Sequence, residues 1–455
     1  MDTGLTFSMI QVEQLLARYE RFGVELGLER IEQLTASLGY PQRLVPTIHV
    51  AGTNGKGSVC AYLSSIFAKA GYRVGCYTSP HLISWCDRIR INQQPIQPQQ
   101  LLQTLQQVET AIDPAQPSPT QFEVITTAMW LYFAQSQVDI AVVEVGLGGR
   151  LDATNVCPSP LATVITSLSL EHTQRLGPTL AHIAHEKAGI LKPGCPAIIG
   201  PIPPDAQAVV QRRLQQEGCP SIWPQPAVNV GEQVEYRGGE TVGPGLTALA
   251  AAAEELVPCQ YTLPMLGKHQ LINSALAIAT VAPLRAQGWQ IPQEAIIEGI
   301  AQARWPGRLE WLRWHDRLLL VDGAHNPAAA VALRHYLDSV FNQQGSPYTP
   351  ITWVMGMLTT KDHIDIFKAL LAPQDHLHLV PVPGHSSAHP TELSRIAQQI
   401  CPDLASCSTH PDLPTGLQAT SRHPTVLCGS LYLLGHFLRQ ESGAINREVQ
   451  LQPLI

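Results

Sequence analysis

The segment His49-Val50-Ala51-Gly52-Thr53-Asn54-Gly55-Lys56-Gly57-Ser58 holds the residue types that bind phosphate. Gly52, Gly55 and Gly57 let backbone approach an anion. Lys56 supplies a point charge for β/γ-phosphates, and the Ser58 hydroxyl can reach a phosphate or a Mg²⁺. Such a loop works only between a strand and a helix, which aim backbone N–H groups and the positive helix end at one spot. Both elements are legible. Thr47 to Val50 carries β-branched residues, and Val59, Tyr62, Leu63, Ile66, Phe67 and Ala70 fall on one helix face before Gly71 stops it. Thr53, Asn54, Gly55, Lys56, Gly57 and Ser58 are the candidate phosphate cradle. The spelling departs from G-x-x-x-x-G-K-[ST], because Gly57 follows Lys56 and the first glycine is Gly52. An ordinary glycine turn with a solvated lysine is the competing reading.

Other chemistry-bearing residues are less decisive taken singly. Glu144 ends the apolar run Asp139–Val145 and precedes Gly146, Gly148, Gly149 and Arg150. In a parallel sheet ligands sit beyond the carboxyl ends of strands, so Glu144 can hold a metal, orient a water or merely cap a turn. Ser79, in Thr78-Ser79-Pro80-His81, and His172, after the run Ala162–Thr166, are candidate ligands or plain turn residues. Zinc spacing is missing at these positions, and oxygen ligation around a nucleotide suits Mg²⁺ better. Lys187, by periodicity, reads as a solvated lysine near a helix C-terminus.

These groups need a scaffold of strands and helices. Strand-like runs occur at Tyr72–Tyr77, Asp139–Val145, Ala162–Thr166 and Ala197–Ile199, with amphipathic stretches between them as in βαβ units. Residues 201–262, rich in Pro and Gly, read as irregular β-structure and surface loops. A long helix is expected from Gln270 to Gln287. Arg304-Trp305-Pro306-Gly307-Arg308 marks a boundary, so residues 1–303 and 304–455 are expected to form two domains. The second restarts the alternation: strands at Leu318–Val321, Ile351–Val354, Leu377–Val380 and Thr425–Cys428, and a helix Pro327–Leu337 capped by Asn326.

Composition narrows the class. A chain of 455 residues with 45% hydrophobic content supports two or three cores. No apolar run approaches the ~20 residues of a membrane helix, and the N-terminus lacks a secretory pattern. Ten scattered cysteines without a C-x-x-C pair read as free thiols in a reducing compartment, so a cytoplasmic location is expected. A net charge of -7 argues against a general nucleic-acid binder.

Taken together and in order, the motifs resemble one family. His49–Ser58 is similar to its HVAGTNGKGS loop, Thr78–Leu82 to TSPHL, and Glu144–Asn155 to EVGLGGRLDATN. Glu186–Ile190, Gly267–Asn273, Pro306–Arg308 and Asp322–Pro327 resemble EKAGI, GxHQxxN, PGR and DxAHNP. Val354–Leu358 with Lys361-Asp362, and Cys428–Ser430, resemble its late motifs. The chain is identified as similar to the folylpolyglutamate synthases and dihydrofolate synthases of the Mur-ligase superfamily. The resemblance implies an N-terminal P-loop α/β ATPase domain with a mostly parallel sheet and a smaller irregular β region, followed by a C-terminal Rossmann-like α/β domain.

The resemblance further implies a ligase that joins L-glutamate to a pterin-bearing carboxylate with ATP and Mg²⁺, through an acyl phosphate. Ser79, Glu144 and His172 would hold the first Mg²⁺. Lys187, carbamylated by CO₂, would serve a second, and Lys56, His172, Lys187 and His325 would be catalytic. Asn273, Arg308 and Asp322 would contact the nucleotide between two domains. Glu25, Phe122, Glu123, Leu151, Asp152 and Ala153 would face the pteroyl substrate. Glu25 and Asp152 are compatible with a dihydropteroate pocket, which favours a bifunctional enzyme. Lys268, Asp87 and Glu171 stand where the family often has an acid, a Glu and an Asp, and they bear on substrate preference. Folylpolyglutamate synthesis alone, another Mur-type amino-acid ligase and a non-catalytic nucleotide-binding regulator are the alternatives. A monomer is expected, without nucleic-acid or membrane partners.

Overall fold

The computed structural model describes residues 3–20, 26–315, 317–342, 348–420, 424–441 and 445–446. Two compact units emerge: residues 1–264 with 270–304, and residues 265–269 with 305–455.

In the first unit the β-branched and apolar runs form a nine-stranded sheet. Its strands are β1 (Thr47–Ala51), β2 (Val74–Tyr77), β3 (Ile89–Ile91), β4 (Gln94–Pro95), β5 (Ile140–Glu144), β6 (Ala162–Ile165), β7 (Ala197–Ile199), β8 (Ser221–Pro224) and, after β9 (Val228–Val230) and β10 (Gln233–Tyr236), β11 (Gly239–Val242). The order is β11-β8-β7-β6-β1-β5-β2-β3-β4. β1 lies between β5 and β6 and pairs parallel with both. It is wholly buried, as expected of a parallel strand covered on both faces. One face packs under the helices Thr3–Ala17, Pro98–Thr110 and Gln121–Gln135, through residues such as Leu16, Leu101, Trp130 and Val143. The other face packs Ile165 and Ile199 under the Leu180–Ala188 and Pro204–Glu217 helices.

The expectation of irregular β-structure over 201–262 is corrected. β9, β10 and β12 (Cys259–Tyr261) do form a small antiparallel sheet. Two helices, Pro204–Glu217 and Leu246–Glu254, occupy much of the rest. Pro203-Pro204 opens the first helix, where a missing N–H costs nothing, and its buried face is Ala206, Val210 and Leu214. The alanine-rich run Ala248–Ala253 is a strong helix former and lies in the second of these helices.

The second unit has β13 (Glu310–Trp314), β14 (Arg317–Val321), β15 (Thr352–Met355), β16 (His376–Leu379), β17 (Ser406–Thr409), β18 (Thr425–Cys428) and β19 (Ile445–Asn446), ordered β17-β16-β15-β18-β14-β13-β19. The first five in that order are parallel, and β13 and β19 close one side antiparallel. Its core gathers Leu320, Trp353, Phe367 and Leu377. The architecture is a P-loop α/β unit plus a Rossmann-like one.

Among the described residues, no helix is long and apolar enough to cross a membrane. Nine of the ten cysteines are buried, and all ten are free.

One helix contact behind the phosphate loop is unusually close. A Cβ on Gly299, in the helix Gln293–Gln302, would lie 2.5 Å from Ile66 Cα on the helix Lys56–Lys69. Neither backbone can yield cheaply, so Gly299→Ala is expected to destabilise the first unit by about 2 kcal/mol. A lowered urea midpoint in its unfolding would show this, and an unchanged midpoint would refute it.

Candidate active site

The phosphate loop leaves β1 and is held by the segment that leaves β6. Thr53 N–H donates to Ser167 O at 2.7 Å. Asn54 N–H donates to Ser167 Oγ at 3.1 Å, while the Thr166 and Ser167 hydroxyls donate to Asn54 O at 2.7 and 3.0 Å. Thr53 Oγ1 accepts from Ser169 N at 3.1 Å. Gly55 caps the Lys56–Lys69 helix at φ 88°, and a Cβ there would strike Asn273 Oδ1. Position 55 therefore needs glycine for conformation and for room. Asn273 Nδ2 donates to Gln270 Oε1 at 3.1 Å, and Gln270 Nε2 donates to Ser58 Oγ at 3.3 Å. The Gln270–Asn273 face thus lies on the loop's helix end, together with Gly57.

Around this loop stand the charged candidates. Lys56 Nζ donates to Thr53 O at 3.1 Å and sits 3.9 Å from Glu144 Oε1. Glu144 is buried, and its other oxygen accepts from Ser79 N–H at 3.2 Å. Lys187 Nζ donates to Gly52 O at 2.6 Å. Lys56, Ser79, Glu144 and Lys187 are thereby brought together. His172 caps a short helix at φ 51°, half-exposed, with Nε2 3.6 Å from Glu171 Oε1. No group of three His, Cys, Asp or Glu side chains placed to hold a metal occurs among the described residues. The candidate set has only two such residues, Glu144 and His172, so a cation there depends on other oxygen donors.

Lys187 corrects the periodicity-based reading. It is 4% exposed, not solvated. The helix Leu180–Ala188 turns its inner face, Ile183, Ala184, Lys187 and Ala188, into the protein. An i, i+4 relation to Ile183 was the available signal, and an apolar pattern hides a lysine that follows it.

On the substrate side, Glu25 lies outside the described residues. Phe122 lies 6.4 Å from the Tyr77 ring, and only glycine at 146 leaves room for it. Glu123 forms a capping box with Thr120 and pairs bidentately with Arg30 at 3.0 and 3.1 Å. Its Oε2 accepts from Thr120 N–H at 2.7 Å and so holds the start of the Gln121–Gln135 helix, while both oxygens accept from Arg30. Asp152 Oδ2 accepts from Leu147 N–H at 2.7 Å, and its Oδ1 accepts from Thr154 N–H at 3.0 Å. It thus shapes the turn carrying Leu151 and Ala153. Burial raises the Asp152 pKa, against the pull of these donors.

In the second unit, buried Asp322 accepts from Leu309 N–H and Ala324 N–H, both at 2.8 Å. It binds the PGR segment to the strand end where Arg308 lies beside Gly323. His325 Nδ1 lies 2.7 Å from Gly323 O. A carbonyl only accepts, so His325 donates this bond from Nδ1. Asn326 Oδ1 accepts from Ala329 N–H at 2.9 Å, the expected cap.

Gln270, Thr166 and Ser167 were not among the residues singled out. Gln270 had a signal, its i, i+3 relation to Asn273 on one helix. The two hydroxyls had none, because their partner is a backbone carbonyl distant in sequence.

Known proteins share this chain's sequence pattern and fold. Residues 50–281 match the Mur ligase middle domain, and residues 310–440 match the dihydrofolate synthetase C-terminal domain. The dihydrofolate synthase/folylpolyglutamate synthase of Bacillus subtilis is 35% identical over 77% of this chain and 80% of its own. The dihydrofolate synthetase of Saccharomyces cerevisiae is 34% identical over 91% and 98%. A bifunctional folylpolyglutamate synthase/dihydrofolate synthase solved with Mn, AMPPNP and L-glutamate bound superposes with a TM-score of 0.78, at 29% identity over 94% of this chain and 97% of that one. The chain belongs to the dihydrofolate synthase/folylpolyglutamate synthase family.

For a member of this family the electrostatics of Lys187 are the most telling feature. Burial, then repulsion from Lys56, pushes its pKa from 10.5 down to about 7, against the attraction of Glu171, Asp152 and Glu144. The folded state therefore binds fewer protons than the unfolded chain between pH 7 and 10.5. Stability from this group is fully present above pH 10.5 and is lost as pH falls toward 7. Lys187→Met is expected to stabilise the first unit at pH 7, on the order of a few kcal/mol, in buffer freed of CO₂. At pH 10 that gain should shrink sharply. Equal effects at both pH values, by denaturant unfolding, would contradict a lysine held half-neutral.

Proposed function

We propose that the protein is an ATP- and divalent-metal-dependent carbon–nitrogen ligase that adds L-glutamate both to dihydropteroate and to folate polyglutamates. Membership of a folate–glutamate ligase family supports the reaction. The observation that carries it is Lys56, Glu144, Ser79 and Lys187 gathered on one phosphate loop.

The chemistry follows from what a carboxylate lacks. Its charge repels a nucleophile, and its oxygen is a poor leaving group. Phosphorylation by ATP gives an acyl phosphate, the glutamate amine attacks the carbonyl carbon, and phosphate departs. Within the loop Thr53 to Ser58, Lys56 and the amides from Gly55 onward would stabilise charge on the transferred group. Asn273 is the proposed nucleotide contact of the first unit, and Arg308 and Asp322 are the candidates for that role in the second. By its place in the DxAHNP-like motif, His325 is the proposed catalytic histidine of the second unit. Asp152 would shape the pteroyl pocket with Phe122, Leu151 and Ala153.

A hard divalent cation fits the donor set, because Glu144 offers a buried carboxylate beside Ser79. Glu144, Ser79 and His172 would hold it, and it would offset phosphate charge when bound. Lys187 as a carbamate would add a further anionic oxygen ligand. A pKa near 7 leaves about half of the amine neutral at pH 7, against well under a thousandth for an ordinary lysine. Only the neutral amine reacts with CO₂.

Purified protein should release ADP and phosphate only when a pteroyl carboxylate, L-glutamate and Mg²⁺ are all present. Turnover on reduced folates but not on dihydropteroate would leave folylpolyglutamate synthesis alone. Turnover on a muramyl precursor would overturn the folate reading, and no turnover with any acceptor would favour a non-catalytic nucleotide binder.

Labelled bicarbonate should give a carbamate carbon signal that Lys187→Ala loses. Lys187→Arg should not restore activity, since it keeps the charge and cannot ligate a metal. Full activity after rigorous CO₂ removal, with no such signal, would end the carbamate role.

A further inference from the structure

The strand that leads into the phosphate loop carries a buried polar residue that the reaction does not use. His49, on β1, is 1% exposed, and its neighbours Ile48 and Val50 are fully buried. Its Nε2 lies 2.8 Å from Thr154 Oγ1. Thr154 is itself fully buried, and its hydroxyl donates to Asp152 Oδ1 at 2.5 Å. Asp152 then accepts from Leu147 N–H at 2.7 Å. One chain of hydrogen bonds therefore runs from β1, through Thr154 and Asp152, to the loop after β5.

The direction of each bond can be worked out. Asp152 accepts from two backbone amides, at Leu147 and Thr154, which only an acceptor oxygen can do. The Thr154 hydroxyl donates to the same carboxyl, so its single proton is spent on Asp152 Oδ1. Thr154 Oγ1 must then accept, and His49 must donate from Nε2. The other ring nitrogen, Nδ1, is buried with no hydrogen-bond partner. An imidazolium would leave a proton stranded there. Burial, with a smaller push from Lys192, holds the ring neutral, its pKa down to about 3. His49 is thus a fixed N–H donor and not a titrating group.

We propose that His49 is a positioning residue for the pteroyl substrate, setting through Thr154 and Asp152 the loop that carries Leu151 and Ala153, and registering that loop against the strand of the phosphate site. This rests on the reading of Asp152, Leu151 and Ala153 as the pteroyl side. A buried donor serves this purpose because Thr154 Oγ1 has no water to replace it. Removing it costs the loop its register, whereas the phosphate loop keeps its own ties to Thr166, Ser167 and Ser169.

The test pairs spectroscopy with a kinetic split. In protein labelled with ¹⁵N-histidine, the His49 resonances, assigned by their loss in His49→Gln, should show a protonated Nε2 and a bare Nδ1. His49→Leu and Thr154→Val should raise KM for dihydropteroate about 3–10-fold, the scale of one hydrogen bond, with KM for ATP unchanged. His49→Gln, which keeps an N–H donor, and Thr154→Ser, which keeps the hydroxyl, should recover most of the loss. A protonated Nδ1, or KM values for both substrates rising together, or neither rising, would overturn the role of His49. If His49→Leu does not fold, Thr154→Val against Thr154→Ser decides with the ¹⁵N pattern. Wild-type protein without turnover on any pteroyl carboxylate would instead overturn the functional reading, a result separable from normal turnover with an unshifted KM in Thr154→Val.

Discussion

Two lysines share one small volume around the phosphate loop, and much of the first unit is arranged to make that tolerable. Lys56 is held by Thr53 O and lies near Glu144. Lys187 is buried and donates to Gly52 O at 2.6 Å. Burying an ammonium beside another cation is costly, and the response is a lowered pKa rather than a full charge. The cost has a use only if something anionic arrives, either a phosphate or a CO₂ adduct on the amine itself. The empty-handed protein is thereby less stable at neutral pH than a Met at this position would make it, a trade of stability for function of the kind active sites hold.

The central position of β1 follows from the same constraint. The loop must receive ties from both sides of its strand. β6 delivers Thr166, Ser167 and Ser169, whose bonds engage backbone and hydroxyl groups of Thr53 and Asn54. β5 delivers Glu144 on the other side. These ties engage the amides of Thr53 and Asn54 and the carbonyl of Asn54, so the start of the loop is fixed against β6 before the Lys56–Lys69 helix begins. Gly52 and Gly55 are the loop positions where this packing leaves no room, since Thr166 Oγ1 and Asn273 Oδ1 respectively fill the space a side chain would need.

How much of this could be read from residues alone depended on the kind of interaction. The loop, the Asn326 cap and the parallel strands were legible because each rests on local spacing. Strand β17, Ser406–Thr409, was not, because its Ser-Cys-Ser-Thr run has no apolar signature and gains its place from pairing with β16. The helix Pro204–Glu217 was hidden by its opening prolines, which read as loop. Lys187 was misread as solvated because periodicity reports which face a residue occupies, and a charged residue on an inner face is discounted by default. Thr166 and Ser167 gave no signal at all, because their partner is a carbonyl more than a hundred residues away in sequence.

The residues proposed to face the pteroyl substrate show a second way in which a carboxylate can matter. Glu123 resembles a substrate residue in its motif, yet its oxygens cap a helix and clamp Arg30. Asp152 likewise spends its oxygens on backbone N–H groups and one hydroxyl. Neither is poised as a bare charge. Their contribution is shape: each fixes a loop whose apolar residues then present a surface. In a pocket for a flat aromatic substrate, shape set by buried hydrogen bonds discriminates more than an exposed charge would, since a misplaced wall loses contacts over the whole ring. Specificity would then change through residues such as His49 and Thr154 that touch no substrate. A sequence comparison restricted to contacting residues would miss them.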